Sequence, residues 1–81
     1  MPSTSVIVGS AVGLHARPAA LIAEAVGNLG VPVTINGVDA GSSLMIMTLG
    51  AKKGDEVEVA SDDPAALAAV VALVERDLDA E

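Results

Sequence analysis

Gly13-Leu14-His15-Ala16-Arg17-Pro18-Ala19-Ala20 is the stretch on which the reading of this chain turns. It carries the only histidine and one of only four basic residues, and Pro18 stands at the mouth of an alanine-rich run. Proline suits the first turn of a helix, where its missing N–H is no loss. Over residues 16–29 the apolar side chains fall at Leu21, Ile22, Ala25, Val26 and Leu29, which lays one stripe along a helix. Gly27 and Gly30 bracket the end of that helix.

Outward from this helix the pattern changes period. Ser5-Val6-Ile7-Val8, closed by Gly9, reads as a first strand. Val31, Val33 and Ile35 alternate with Pro32, Thr34 and Asn36, a second strand with one buried face. Asn36-Gly37 is the dipeptide favoured in tight hairpin turns and predicts a short third strand over 38–40. Ser42 or Ser43 can cap a short helix over 44–49 that Gly50 stops, with Ile46 and Leu49 as its expected core pair. After the turn Lys53-Gly54-Asp55, Val57 and Val59 alternate with Glu56, Glu58 and Ala60 as a fourth strand. Ser61-Asp62-Asp63-Pro64 then opens a last helix with Leu67, Val70, Val71, Val74 and Leu78 as its apolar stripe. Glu75, Arg76, Asp77 and Asp79 lie mostly on its solvent side. The order β-α-β-β-α-β-α predicts an α+β layer: a mainly antiparallel sheet with the helices on one face.

Composition narrows the function. Eighty-one residues make one small domain, expected to span 1–81, and without cysteine there are neither disulfides nor thiolate metal sites. The 52% hydrophobic fraction contains no Phe, Tyr or Trp, so the core must be aliphatic. A net charge of −7 and the lack of stacking rings argue against a nucleic-acid partner. No stretch is apolar for long enough to span a bilayer, and MPSTSVIV lacks the basic start of a signal peptide, so a cytoplasmic protein is expected.

The chemistry gathers at His15. A helix's first turn carries unpaired N–H groups and a partial positive charge, a natural seat for phosphate. Arg17 adds a guanidinium that can grip phosphate oxygens. A neutral imidazole is a nucleophile and can carry a covalent intermediate. A metal site fits poorly, because the carboxylate nearest His15 in sequence is Glu24 and there is no cysteine. A Ser-His-acid hydrolase has no evident partners. A phosphate grip without a substrate pocket is the profile of a carrier.

GLHARPAA resembles the active-site segment of the HPr family, the histidine-containing phosphocarriers of the bacterial phosphoenolpyruvate-dependent sugar phosphotransferase system. The segment SSLMIMTLGAKKGDEVEV resembles that family's helix-to-strand region, and the likeness covers essentially the whole chain with the same order of elements. The resemblance implies an open-faced β-sandwich: a four-stranded antiparallel sheet covered on one face by three helices. It implies that enzyme I phosphorylates Nδ1 of His15 and that the group passes on to the IIA component of a sugar permease. It makes Arg17 the charge partner, the backbone N–H groups of Ala16 and Arg17 phosphate ligands, and Pro18 structural. No cofactor or metal is implied, and a monomer is expected.

The family also implies a regulatory serine phosphorylated by a kinase. Counting back from Leu49-Gly50 points to Ser42, whereas the serine directly before Leu44-Met45 is Ser43. Either is equally a simple N-cap. A six-residue helix cannot bury every side chain, so Leu44, Met45 and Met47 are expected to form a docking face, Met being adaptable at surfaces that meet several partners. Lys52 and Lys53 add a basic edge or a solvated turn. Two other readings stand beside sugar transport: a paralogue in a regulatory phosphorelay, and a non-catalytic binding module on the same fold, against which the presence of His15 argues.

Overall fold

This computed structural model describes residues 2–10, 13–14 and 17–76. The elements run β1 (Ser3–Ile7), α1 (Arg17–Leu29), β2 (Thr34–Ile35), β3 (Val38–Asp39), α2 (Ser43–Thr48), β4 (Glu56–Ala60) and α3 (Pro64–Glu75). The two-residue period of the strands decides the layers. β1 and β4 pair antiparallel with Val6 opposite Val57, and these side chains together with Val59 point into the core. Ile7, Glu56 and Glu58 fall in the alternate positions and face solvent. β4 also pairs with β2, Ile35 opposite Val59, and β2 with β3, giving the all-antiparallel order β1-β4-β2-β3. Three helices cover one face of this sheet, so the fold is the expected open-faced sandwich.

The hairpin between β2 and β3 forms because both of its turn residues accept positive φ: Asn36 at 50° and Gly37 at 84°. That conformation matches the twist of the flanking strands. Asn36 also fixes the hairpin to β4, its N–H donating to the Glu58 carbonyl and its side-chain oxygen accepting from the Glu58 N–H, each at 2.8 Å. The second and third strands are shorter than their alternation suggests. Pro32 has no N–H to give to a ladder, and its carbonyl instead accepts the Ser61 hydroxyl at 2.9 Å. β1, in contrast, starts at Ser3 rather than Ser5, because β4 offers partners as far as Ala60.

Both long helices bury a narrower line than their hydrophobic stripes imply. On α1 the buried residues are Pro18, Ala19, Ile22 and Val26, while Leu21 and Leu29 are 36% and 39% exposed and Ala25 is half-buried. On α3 the centre line is Ala66, Val70 and Val74, with Leu67 and Val71 half-buried at its margin. Ala19 and Ala66 share these lines with Ile22, Val70 and Val74, while Leu21, Leu29 and Leu67 lie toward the rim. Leu78, Asp77 and Asp79 lie outside the described residues. On α2 Ile46 is fully buried, but Leu49 only partly, since it is the C-cap rather than an inward helical position.

α3 starts as its sequence demands. Asp63 is the N-cap, its carboxylate accepting from the N–H groups of Ala65 at 2.9 Å and Ala66 at 3.3 Å, and Pro64 occupies the first turn. Asp63→Ala is expected to cost about 1 kcal/mol, lowering Tm by about 4–8 °C in a domain of this size. Thermal unfolding followed by circular dichroism measures it.

Candidate functional site

The site is built around the chain that leaves β1 and enters α1. Val8 extends the β1–β4 pairing past its end, its N–H donating to the Asp55 carbonyl and its carbonyl accepting from Gly54, each at 2.9 Å. Gly9 then donates its N–H to the Val74 carbonyl at 3.1 Å, close to the end of α3. Only glycine fits there, because a Cβ would lie 2.0 Å from the Glu75 carbonyl oxygen. Ser10 is fully buried and its hydroxyl donates to the Arg76 carbonyl at 3.2 Å.

Gly13 and Leu14 are the last described residues before the histidine. The Gly13 N–H donates to the Ser10 carbonyl at 2.9 Å, and that of Leu14 to the Ala51 carbonyl at 3.0 Å. Gly13 has φ +74°, and a Cβ on it would stand 2.2 Å from the Ala51 oxygen. The Leu14 side chain is 2% exposed and belongs to the core. His15 and Ala16 lie outside the described residues. On their far side Arg17 is the first residue of α1, while Pro18 and Ala19 are buried. Buried residues thus stand on both sides of that pair, Leu14 before it and Pro18 and Ala19 after it.

Residues 51–55 back this loop. The Lys52 N–H donates to the Asp55 carboxylate and the Asp55 N–H to the Lys52 carbonyl, each at 2.9 Å, with Gly54 at φ +90°. Lys52 and Lys53 are exposed on this turn. All four basic residues of a chain with net charge −7 (Arg17, Lys52, Lys53 and Arg76) therefore lie in segments that border the β1–α1 connection. Asp55 and Glu75 lie in the same segments, so these cations stand among carboxylates rather than as a patch of one sign.

α2 packs against α1. Its N-cap is Ser42, whose hydroxyl accepts from the Met45 N–H at 3.3 Å, and Ser43 is the first helical residue. Gly50, at φ +64°, lets the chain turn away, its N–H bonding the Met47 carbonyl at 3.2 Å. Leu44 is 68% and Met45 41% exposed, whereas Met47 is half-buried and packs on the core. Of the three expected docking residues, Met47 therefore presents the least surface. Among the described residues no group of His, Cys, Asp and Glu forms a metal-binding cluster.

Sequence patterns did not single out Gly9, Ser10 or the contact of Gly13 with Ala51. Gly9 read as a strand terminator, and nothing in one sequence tells a buried serine from an exposed one. The only signal was the pair of glycines, Gly9 and Gly13, flanking the segment before His15.

Comparison with known proteins agrees with this geometry. The model of the PTS HPr component phosphorylation site matches residues 2–76. The phosphocarrier protein HPr of Streptomyces coelicolor is 45% identical over 75 residues, covering 86% of this chain and 81% of that protein. Among solved structures, HPr-C-His from Thermoanaerobacter tengcongensis superposes with a TM-score of 0.87 at 30% identity, over 100% of this chain and 99% of that one. Phosphocarrier protein HPr from Bacillus anthracis superposes at 0.80 with 31% identity, over 90% and 95% of the two chains. The chain belongs to the HPr family, the phosphocarriers of the phosphotransferase system.

Two glycines at positive φ provide a test of the site's packing. The left-handed conformation costs a residue with a side chain about 1–2 kcal/mol. Gly30→Ala, at φ +71° with nothing within 4 Å, should lose no more than that. Gly13→Ala adds a collision with backbone and is expected to lose more than about 2 kcal/mol in urea unfolding.

Proposed function

We propose that this chain is a single phosphocarrier domain that takes a phosphoryl group from phosphorylated enzyme I onto His15 and passes it to IIA components of sugar permeases in the cytoplasm. The observation that carries this reading is the GLHARPAA segment at the mouth of α1 in a chain of the HPr family. In the transfer, Nδ1 of His15 forms a new P–N bond as the bond from phosphorus to the donor group of enzyme I breaks. Arg17 supplies a guanidinium to the phosphoryl oxygens, and the backbone N–H groups of Ala16 and Arg17 donate to the same charge. The protein needs no cofactor for this step, since the energy of the P–N bond is carried from one imidazole to the next.

Docking falls to the exposed side of α2. Leu44 and Met45 supply apolar area beside α1, with Met47 supporting them from the core side. Ser42 is the serine we assign to a regulatory kinase. It caps α2 at the edge of this surface, and a phosphate there would add about two negative charges where a partner must approach.

Incubation with phosphoenolpyruvate and enzyme I should add one phosphate, labile in acid and stable in base, seen by intact-protein mass. His15→Ala should abolish it while leaving the fold intact. Arg17→Ala should slow it by about tenfold or more, the ratio set by a charged hydrogen bond worth about 1.5 kcal/mol. Full labelling of the His15→Ala protein would overturn the assignment.

The facing of α2 is tested separately. Leu44→Glu should weaken enzyme I binding by about fivefold or more, the loss expected at an apolar interface position worth over 1 kcal/mol, and leave Tm nearly unchanged. Ile46→Glu should unfold the domain, because a carboxylate would enter a fully buried position. Calorimetry of binding and of unfolding reads both.

A further inference from the structure

Among the described residues two polar side chains are fully buried, Ser10 and Ser61. Ser61 ties β4 to the start of α3, its hydroxyl donating to the Pro32 carbonyl at 2.9 Å and accepting the Asp63 N–H at 3.2 Å. Ser10 lies outside the sheet. It stands at the opposite end of β1, where the chain has left the strand.

α3 ends without a glycine. Its C-cap is Arg76 in an extended conformation, at φ −83° and ψ 153°. The last carbonyls of a helix have no partner within it and must find one elsewhere. Here the Val74 carbonyl takes the Gly9 N–H at 3.1 Å and the Arg76 carbonyl takes the Ser10 hydroxyl at 3.2 Å. The Ser10 carbonyl in turn accepts the Gly13 N–H at 2.9 Å. One buried residue thus grips the end of α3 with its side chain and Gly13 with its backbone.

Taking His15 as the phosphoryl acceptor, as proposed above, we infer that Ser10 is a positioning residue for phosphoryl transfer: its hydroxyl locks the approach to His15 onto the end of α3. In this role Ser10 aligns the approach and is not itself a reacting group. It acts through Gly13 and Leu14, the last described residues before the acceptor. Transfer between two imidazoles depends on alignment, and a misplacement of about 1 Å can cost about a hundredfold in rate. Gly9, Gly13 and Leu14 hold the loop through their backbone N–H groups, whereas Ser10 holds it through a side chain. That hydroxyl can therefore be removed without touching the backbone ladder.

The test compares Ser10→Ala with Ser61→Ala, two hydroxyl deletions of equal size at equally buried positions. In single-turnover transfer from phosphorylated enzyme I, Ser10→Ala should lower the saturating rate by about three- to thirtyfold. Its half-saturating concentration should stay within about twofold of the unmodified value. Ser61→Ala should lose a similar amount of thermal stability and keep the rate. In Ser10→Ala the Gly13 amide should exchange with solvent about tenfold faster while those of Val57 and Val59 do not change.

An unchanged saturating rate in Ser10→Ala, or an equal slowing in Ser61→Ala, overturns the inference. On the unmodified chain the Gly9 and Gly13 amides should exchange in parallel. A Gly13 amide that exchanges like an unstructured one while Gly9 is protected also overturns it. If the unmodified protein takes no phosphate from enzyme I, the reading of His15 fails instead, and the exchange comparison still decides whether Ser10 holds the loop.

Discussion

The antiparallel pairing of β1 with β4 is the constraint on which the rest of the molecule depends. Val6 opposite Val57 sets the inward face, and the same register carries Val8 to the carbonyl of Asp55 and the N–H of Gly54. A slip by one residue would turn Ile7 inward and Val6 out, exchanging the core face for the solvent face. It would also move Gly9 off the end of α3, where a Cβ has no room. The site loop is thereby indexed to the sheet: its starting point is fixed by strand register before any contact near the histidine is made.

Much of this could be read from residue order, for physical reasons that differ by element. The Asn36-Gly37 hairpin is local chemistry, since only a few residues accept positive φ, and the structure has it as expected. The acidic cap and proline before α3 are equally local. Helix faces are not. Leu21 and Leu29 have the right spacing for burial on α1, yet they lie at its rim while Ala19 is fully buried. Hydropathy records how apolar a side chain is, not which way its position on the packed helix faces. The two serines before Leu44 show the same divide: spacing left the cap open, and the backbone at Ser42 settles it by placing its hydroxyl on the Met45 N–H.

The site divides along the same line. His15 and Arg17 stand out because a lone imidazole and a guanidinium at a helix mouth are unusual chemistry in an acidic chain. The parts that hold the segment are glycines, carbonyls and a buried hydroxyl, which carry no distinctive pattern. Ser10, Val74, Arg76 and Ala51 come together from three separate segments, and only tertiary structure brings them to one loop.

The two faces of α2 show how a small domain can keep a sticky surface and remain folded. Six residues cannot hold a helix in water by themselves, since the nucleus alone is unfavourable. This one is held by the Ser42 cap, the left-handed Gly50 and a single fully buried anchor, Ile46. With stability resting on those three, Leu44 and Met45 are released from the core and can stay exposed. Exposed apolar area invites self-association, which net charge opposes. Asp55 and Glu75 share their segments with Lys52, Lys53 and Arg76, so acid and base are mixed beside the β1–α1 connection, while Asp39, Glu58, Asp62 and Asp63 lie on segments away from it. Two copies that each carry a net charge of −7 repel one another, the more so at low salt. A short helix anchored at one residue can therefore leave apolar side chains in water while the net charge of the whole chain keeps copies apart.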